Sequence, residues 1–124
     1  MDRVNLSDEL SKLRTREADV SSNTLLKTDT LRIVLIALRA GAKLHRHHAD
    51  GRLSLQVLEG KVDFSAQNEQ YQLTAGTLIG LDAKVLHEVI AQTDAVLLLT
   101  IAWPYVDNAA DQPDVTEHRK VGYV

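Results

Sequence analysis

The sequence predicts an all-β fold, a sandwich or barrel of short strands behind one N-terminal helix. Three observations carry that prediction. From Thr24 to Ala102 the chain falls into short apolar or alternating runs rich in branched residues. Clusters of turn-forming residues separate these runs at near-regular spacing, among them Thr28-Asp29, Asp50-Gly51, Gln67-Asn68-Glu69 and Gln92-Thr93-Asp94. The helical spacing of Leu6, Leu10 and Leu13 stops before Ser21-Ser22-Asn23 and gives way to a strand period.

The whole-chain properties set the bounds. A chain of 124 residues with 44% hydrophobic and 25% charged residues is one domain, able to bury a core without cross-links. Its formal net charge of -3 gives no electrostatic reason to expect nucleic acid or an anionic membrane as partner. With no cysteine there is no disulfide framework, thiol nucleophile or thiolate metal site, which agrees with a cytoplasmic location. The N-terminal residues are too charged for a signal peptide, and no run approaches the roughly 18 apolar residues of a membrane span.

In chain order, Ser7 is read as the cap of a helix running to about Glu17, with Asp8 and Glu9 in its first turn. Thr24 to Lys27 and Leu31 to Arg39 read as two strands joined by a tight turn. The run LRIVLIAL is nearly all apolar, as in a strand covered on both faces. A short extended piece from Leu44 to His48 leads through Ala49-Asp50-Gly51-Arg52 to a strand over Leu53–Glu59. There Leu53, Leu55 and Val57 share one face, with Ser54 and Gln56 on the other. Further strands follow at Lys61–Ala66, Tyr71–Leu73, Thr77–Leu81, Leu86–Ala91 and Ala95–Ala102. The last of these reads as a central strand. These boundaries give a helical segment over 1–23, a β-barrel over 24–103 and a polar tail over 104–124 without clear period.

Candidate chemistry concentrates in histidine. Three of the five histidines, His45, His47 and His48, lie between Gly41 and Gly60, and His87 follows a second strand–turn–strand passage. Gly41 to Ala91 resembles the two sequence motifs of the cupin family. Gly41 and Gly60 match the outer glycines of the first motif, which ends here in VLEG, and Gly76 and His87 match the second. Asp82-Ala83-Lys84 stands where the family has Pro-x-Gly. The resemblance covers about residues 30 to 102 and implies a double-stranded β-helix, the cupin jelly-roll barrel, usually paired as a homodimer. It also implies a metal site. With the glycines aligned, the family's first histidine falls on His47 and its last on His87. The second histidine falls on Ala49 and the carboxylate on Leu53, neither of which can coordinate.

Two readings of the site follow. In one, His47 and His87 are hydrogen-bonding groups in a metal-free barrel that binds a small molecule. The pocket is lined by Leu35, Leu53, Leu55, Val57, Leu81 and Trp103, with Arg52 available to an anionic ligand group. In the other, His45 joins them. Two residues apart on a strand, His45 and His47 share a face, so His45, His47 and His87 form a three-nitrogen site. A divalent Zn, Fe, Ni, Cu or Mn ion would be its cofactor, in an oxygenase- or isomerase-like enzyme. Strand parity puts Arg46, His48 and Glu88 outside, and Asp50 and Asp82 read as turn formers. His118 is read as plain surface. Ser54 lacks the partners of a nucleophile.

Overall fold

The computed structural model describes residues 1–47 and 50–104, with Arg46 and His47 described by backbone alone. The tail beyond Pro104, His48, Ala49 and His118 lie outside the described residues.

One helix, α1 (Leu6–Arg14), precedes the strands. Its cap is Asn5 rather than Ser7. Asn5 has the extended backbone a cap requires, and its Oδ1 accepts the Asp8 N–H at 3.0 Å. Ser7 already lies inside the first turn, where its carbonyl accepts the Ser11 hydroxyl. Asp8 and Glu9 sit at the positive end of the helix and Lys12 and Arg14 at the negative end. The helix stops at Arg14, short of Glu17, where the Thr15 hydroxyl donates to the Lys12 carbonyl.

Nine strands follow: β1 (Val20–Lys27), β2 (Leu31–Leu38), β3 (Lys43–His47), β4 (Arg52–Glu59), β5 (Lys61–Ala66), β6 (Glu69–Thr74), β7 (Leu78–Leu81), β8 (His87–Ala91) and β9 (Ala95–Ala102). They form two antiparallel sheets in the orders β1-β2-β9-β4-β7 and β3-β8-β5-β6. As its apolar sequence requires, β9 is the centre of the larger sheet. The first strand starts earlier than its sequence suggests, because Ser21-Ser22-Asn23 are strand residues and not a break. Ser21 is buried, and Asn23 Nδ2 donates to Glu9 Oε2 on α1 at 2.6 Å, so the polar side chains find places on the covered face.

Between the sheets lies one core. Val34, Ile36, Leu53, Leu55, Val57, Val62, Phe64, Val89, Leu97, Leu99 and Ile101 all belong to it. The alternate residues of β2 and β9 face outward, where α1 covers them. Leu13, Leu35 and Val96 form this second cluster. Leu35 is therefore no part of the barrel interior, contrary to the sequence expectation. A run apolar on both faces carries no parity signal, and the register Val34↔Leu99 settles which face is which. Full burial of Leu13 contributes about 2 kcal/mol to holding the helix.

The connections sort by end. At one end the chain turns from β2 to β3, β4 to β5, β6 to β7 and β8 to β9. Gly41, Gly60 and Gly76 lie there with φ of +84°, +84° and +92°. Gly60 is also sterically required, since a Cβ would stand 2.9 Å from the Cα of Ala95. At the other end lie the β1–β2, β3–β4, β5–β6 and β7–β8 connections and the exit of β9. The β5–β6 hairpin turns through Gln67 and Asn68 at φ 52° and 64°, the two left-handed residues of a tight primed turn.

Candidate functional site

The second end gathers the residues the sequence singles out. His87 opens β8, pairs with Ala66 on β5 and with His47 on β3, and is 2% exposed. Its ring stacks on Phe64, and its Nδ1 stands 3.1 Å from the Val85 carbonyl. A carbonyl only accepts, so this bond needs the proton on Nδ1 and leaves the neutral ring's lone pair on Nε2.

The strand opposite is not regular. Leu44 pairs with Val89 and His47 with His87, so three steps along β3 match two along β8. That is a β-bulge, and it breaks the alternation that was to place His45 beside His47. Leu44 is buried and its neighbour His45 is exposed. The bulge thus leaves His45 outside, while the backbones of His47 and His87 pair.

The remaining expected residues separate. Leu53, Leu55 and Val57 are inside as read, but packed into the core at 5% exposure or less. Leu81 and Trp103 are partly buried against them. Arg52 pairs in register with outward-facing Ala102, is exposed, and stands 3.3 Å from Asp82 Oδ1. An ion pair so solvated holds little energy and points away from the barrel. Glu88 lies outside as read, 3.6 Å from Lys43 Nζ.

A cleft of about 830 Å³ opens at this end, lined by residues 65–70 and 84–88, with His87 in its wall. A further charged residue, which the sequence reading passed over, lies at the same end of the barrel, outside the lining of that cleft. Arg32 pairs with Ile101, and Ile101 with Leu53, so the guanidinium-bearing residue stands on the interior face. The signal was present as the one charge inside an otherwise apolar run, LRIVLIAL.

Compared with known families, residues 32–112 match the model of the AraC-like ligand binding domain. The chain belongs to that family. Several solved structures, cupins among them, share the fold of this AraC-like domain. A cupin superfamily protein from Desulfitobacterium hafniense is 18% identical, with a TM-score of 0.68 over 72% of this chain and 82% of that one. An RmlC-like cupin from Shewanella frigidimarina is 22% identical, with a TM-score of 0.65 over 72% and 80%. Salicylate 1,2-dioxygenase from Pseudoaminobacter salicylatoxidans is 19% identical, with a TM-score of 0.68 over 78% of this chain and 31% of that one. No curated protein sequence matches this chain. No helix among its described residues is long and apolar enough to cross a membrane.

Metals are frequent in cupins, so the donors of this AraC-like domain bear on its chemistry. Leu53 offers no donor atom where the family has a carboxylate, and His45 lies beyond the bulge. Among the described residues no group of three His, Cys, Asp or Glu side chains could hold a metal ion. The described donors do not fit one.

Proposed function

We propose that this AraC-like domain is a metal-free binding protein for a small molecule, taken up at the His87 end of its barrel. The observation that carries the reading is a buried imidazole, His87 at 2% exposure, stacked on Phe64 and lining an open cleft whose other side chains are largely polar. Leu53, Leu55 and Val57 are packed core behind it, partly buried Leu81 and Trp103 are its apolar surface, and His87 and His47 are its hydrogen-bonding groups. Elemental analysis tests the reading on protein purified without a metal-affinity tag and without added metal. Metal well below one equivalent is expected, and a stoichiometric ion overturns it.

A metal-dependent oxygenase- or isomerase-like enzyme is the second reading. The register that sets His47 opposite His87 favours it, since two imidazoles on adjacent strands are a common start for a metal site. It requires donors beyond the described side chains. Under this reading His87→Ala abolishes metal content, and unchanged content removes it.

Homodimerisation is part of the proposal. Among the described residues each sheet ends in strands paired on one side only, β1 and β7 in one and β3 and β6 in the other. Such open edges favour pairing with a second copy. Sedimentation at equilibrium is expected to give twice the chain mass, and a monomer at all concentrations overturns this part. The proposed setting is the cytoplasm, in line with a chain that has no cysteine, and cell fractionation tests it.

A further inference from the structure

We infer that Arg32 sets the charge of the ligand, so that the barrel takes a small organic carboxylate. This rests on the binding reading above and names the ligand class for the same end of the barrel.

Position comes first. In register, Arg32↔Ile101, Ile101↔Leu53 and Leu53↔Leu81 form one row across β2, β9, β4 and β7. Residues directly opposite on antiparallel neighbours share a face, and Ile101 and Leu53 are core residues. Arg32 is therefore an interior residue at the end that also holds His87. Arg52, by contrast, faces outward with Asp82.

Among the described residues Arg32 Nε also has no partner. It is buried and meets no hydrogen-bond acceptor among them, and none of the ion pairs among them includes Arg32. Burying part of a guanidinium in this way is unfavourable unless an acceptor is supplied. The residue as a whole is only partly buried. A carboxylate is the acceptor whose two oxygens match the planar fork.

The charge pattern of the row points the same way. Leu53 occupies the position where the cupin motif has its carboxylate, and it is apolar here. The row contains no acid and carries a cation at Arg32, two strands from Leu53. Lys27, opposite Arg32 on β1 and exposed, adds a second positive charge at the edge. An interior of this sign repels a metal ion and attracts an anion. Partly buried Leu81 and Trp103 offer apolar surface to the rest of the molecule.

The test uses matched acids and amides on the full chain: benzoate against benzamide and hexanoate against hexanamide, followed by calorimetric titration. Wild type is expected to bind each acid at least roughly tenfold more tightly than its amide, the usual scale of a charge-assisted bond. In Arg32→Met that preference vanishes while the melting temperature rises, because an unpaired buried donor is gone. Arg32→Lys, a point charge without the fork, keeps a reduced preference. Equal binding of acids and amides by wild type, or an intact preference in Arg32→Met, overturns the role of Arg32 and leaves small-molecule binding standing. An Arg32→Met protein less stable than wild type also overturns it, since that is the mark of a structural residue. If neither series binds, the inference and the binding reading fall together.

Discussion

The imidazole of His87 lies over the ring of Phe64, with centroids 5.9 Å apart and planes 19° from parallel. Phe64 is 1% exposed, so the histidine rests on a fully packed core residue. With Nδ1 held toward the Val85 carbonyl, the ring has a fixed face and a fixed tautomer.

Replacing His87 separates packing from recognition. His87→Ala leaves a cavity over Phe64 and is expected to cost about 2–4 kcal/mol in urea denaturation. His87→Phe keeps the stack and most of the stability but removes the polar group. The proposed site then predicts binding lost in both variants, and His87→Phe with unchanged binding would count against it.

Restoring the acid of the cupin motif is expected to be harmful. Leu53 is 5% exposed, so Leu53→Glu buries a carboxyl and should lower stability by about 2 kcal/mol or more. Arg32 stands in the same row and can partly compensate. In the background of Arg32→Met the loss should be larger by about 1 kcal/mol, a coupling that a double-mutant cycle measures. Strict additivity would show that the two positions do not meet.

Two turn positions give opposite expectations. Gly60→Ala forces a Cβ to 2.9 Å from Ala95 Cα at φ +84° and should cost about 3 kcal/mol. Lys84 has φ 67° where the cupin motif has glycine. Lys84→Gly should therefore stabilise by up to about 1 kcal/mol. Thermal unfolding of both variants checks the pair.

Tyr71 supplies the pH-dependent signal. Its hydroxyl donates to Glu69, and the carboxylate's charge adds to that bond in raising the phenol above its usual 10.0. The neutral phenol is thus favoured in the fold. Its contribution is present below the unfolded pKa and is lost as pH rises through the higher folded one. Glu69→Gln should bring the titration back toward 10.0, read as phenolate absorbance with Tyr71→Phe as the blank.

Alternation made the strands legible, because Leu53, Leu55 and Val57 or Val62 and Phe64 announce a buried face wherever the other face is wet. The method lost its hold where both faces are covered. In LRIVLIAL nothing distinguishes the helix-facing Leu35 from the core-facing Val34, and the interior place of Arg32 is hidden for the same reason. The bulge in β3 was equally invisible. It inserts one residue between Leu44 and His47 without any glycine or proline to mark it, and so it reverses the side on which His45 falls. The helix was legible as a helix, but its cap depended on which of two polar residues, Asn5 or Ser7, took the extended backbone.

Gly41, Gly60 and Gly76, by which the cupin resemblance was drawn, all sit at the end of the barrel away from His87 and Arg32. The signature and the chemistry are physically apart. For a designer this divides the molecule into a handle and a working tip. The β5–β6 turn and the 82–86 loop can be exchanged for other sequences to retarget the tip, while the glycine corners keep the strands in register. A transplant at the glycine end would unmake the scaffold instead.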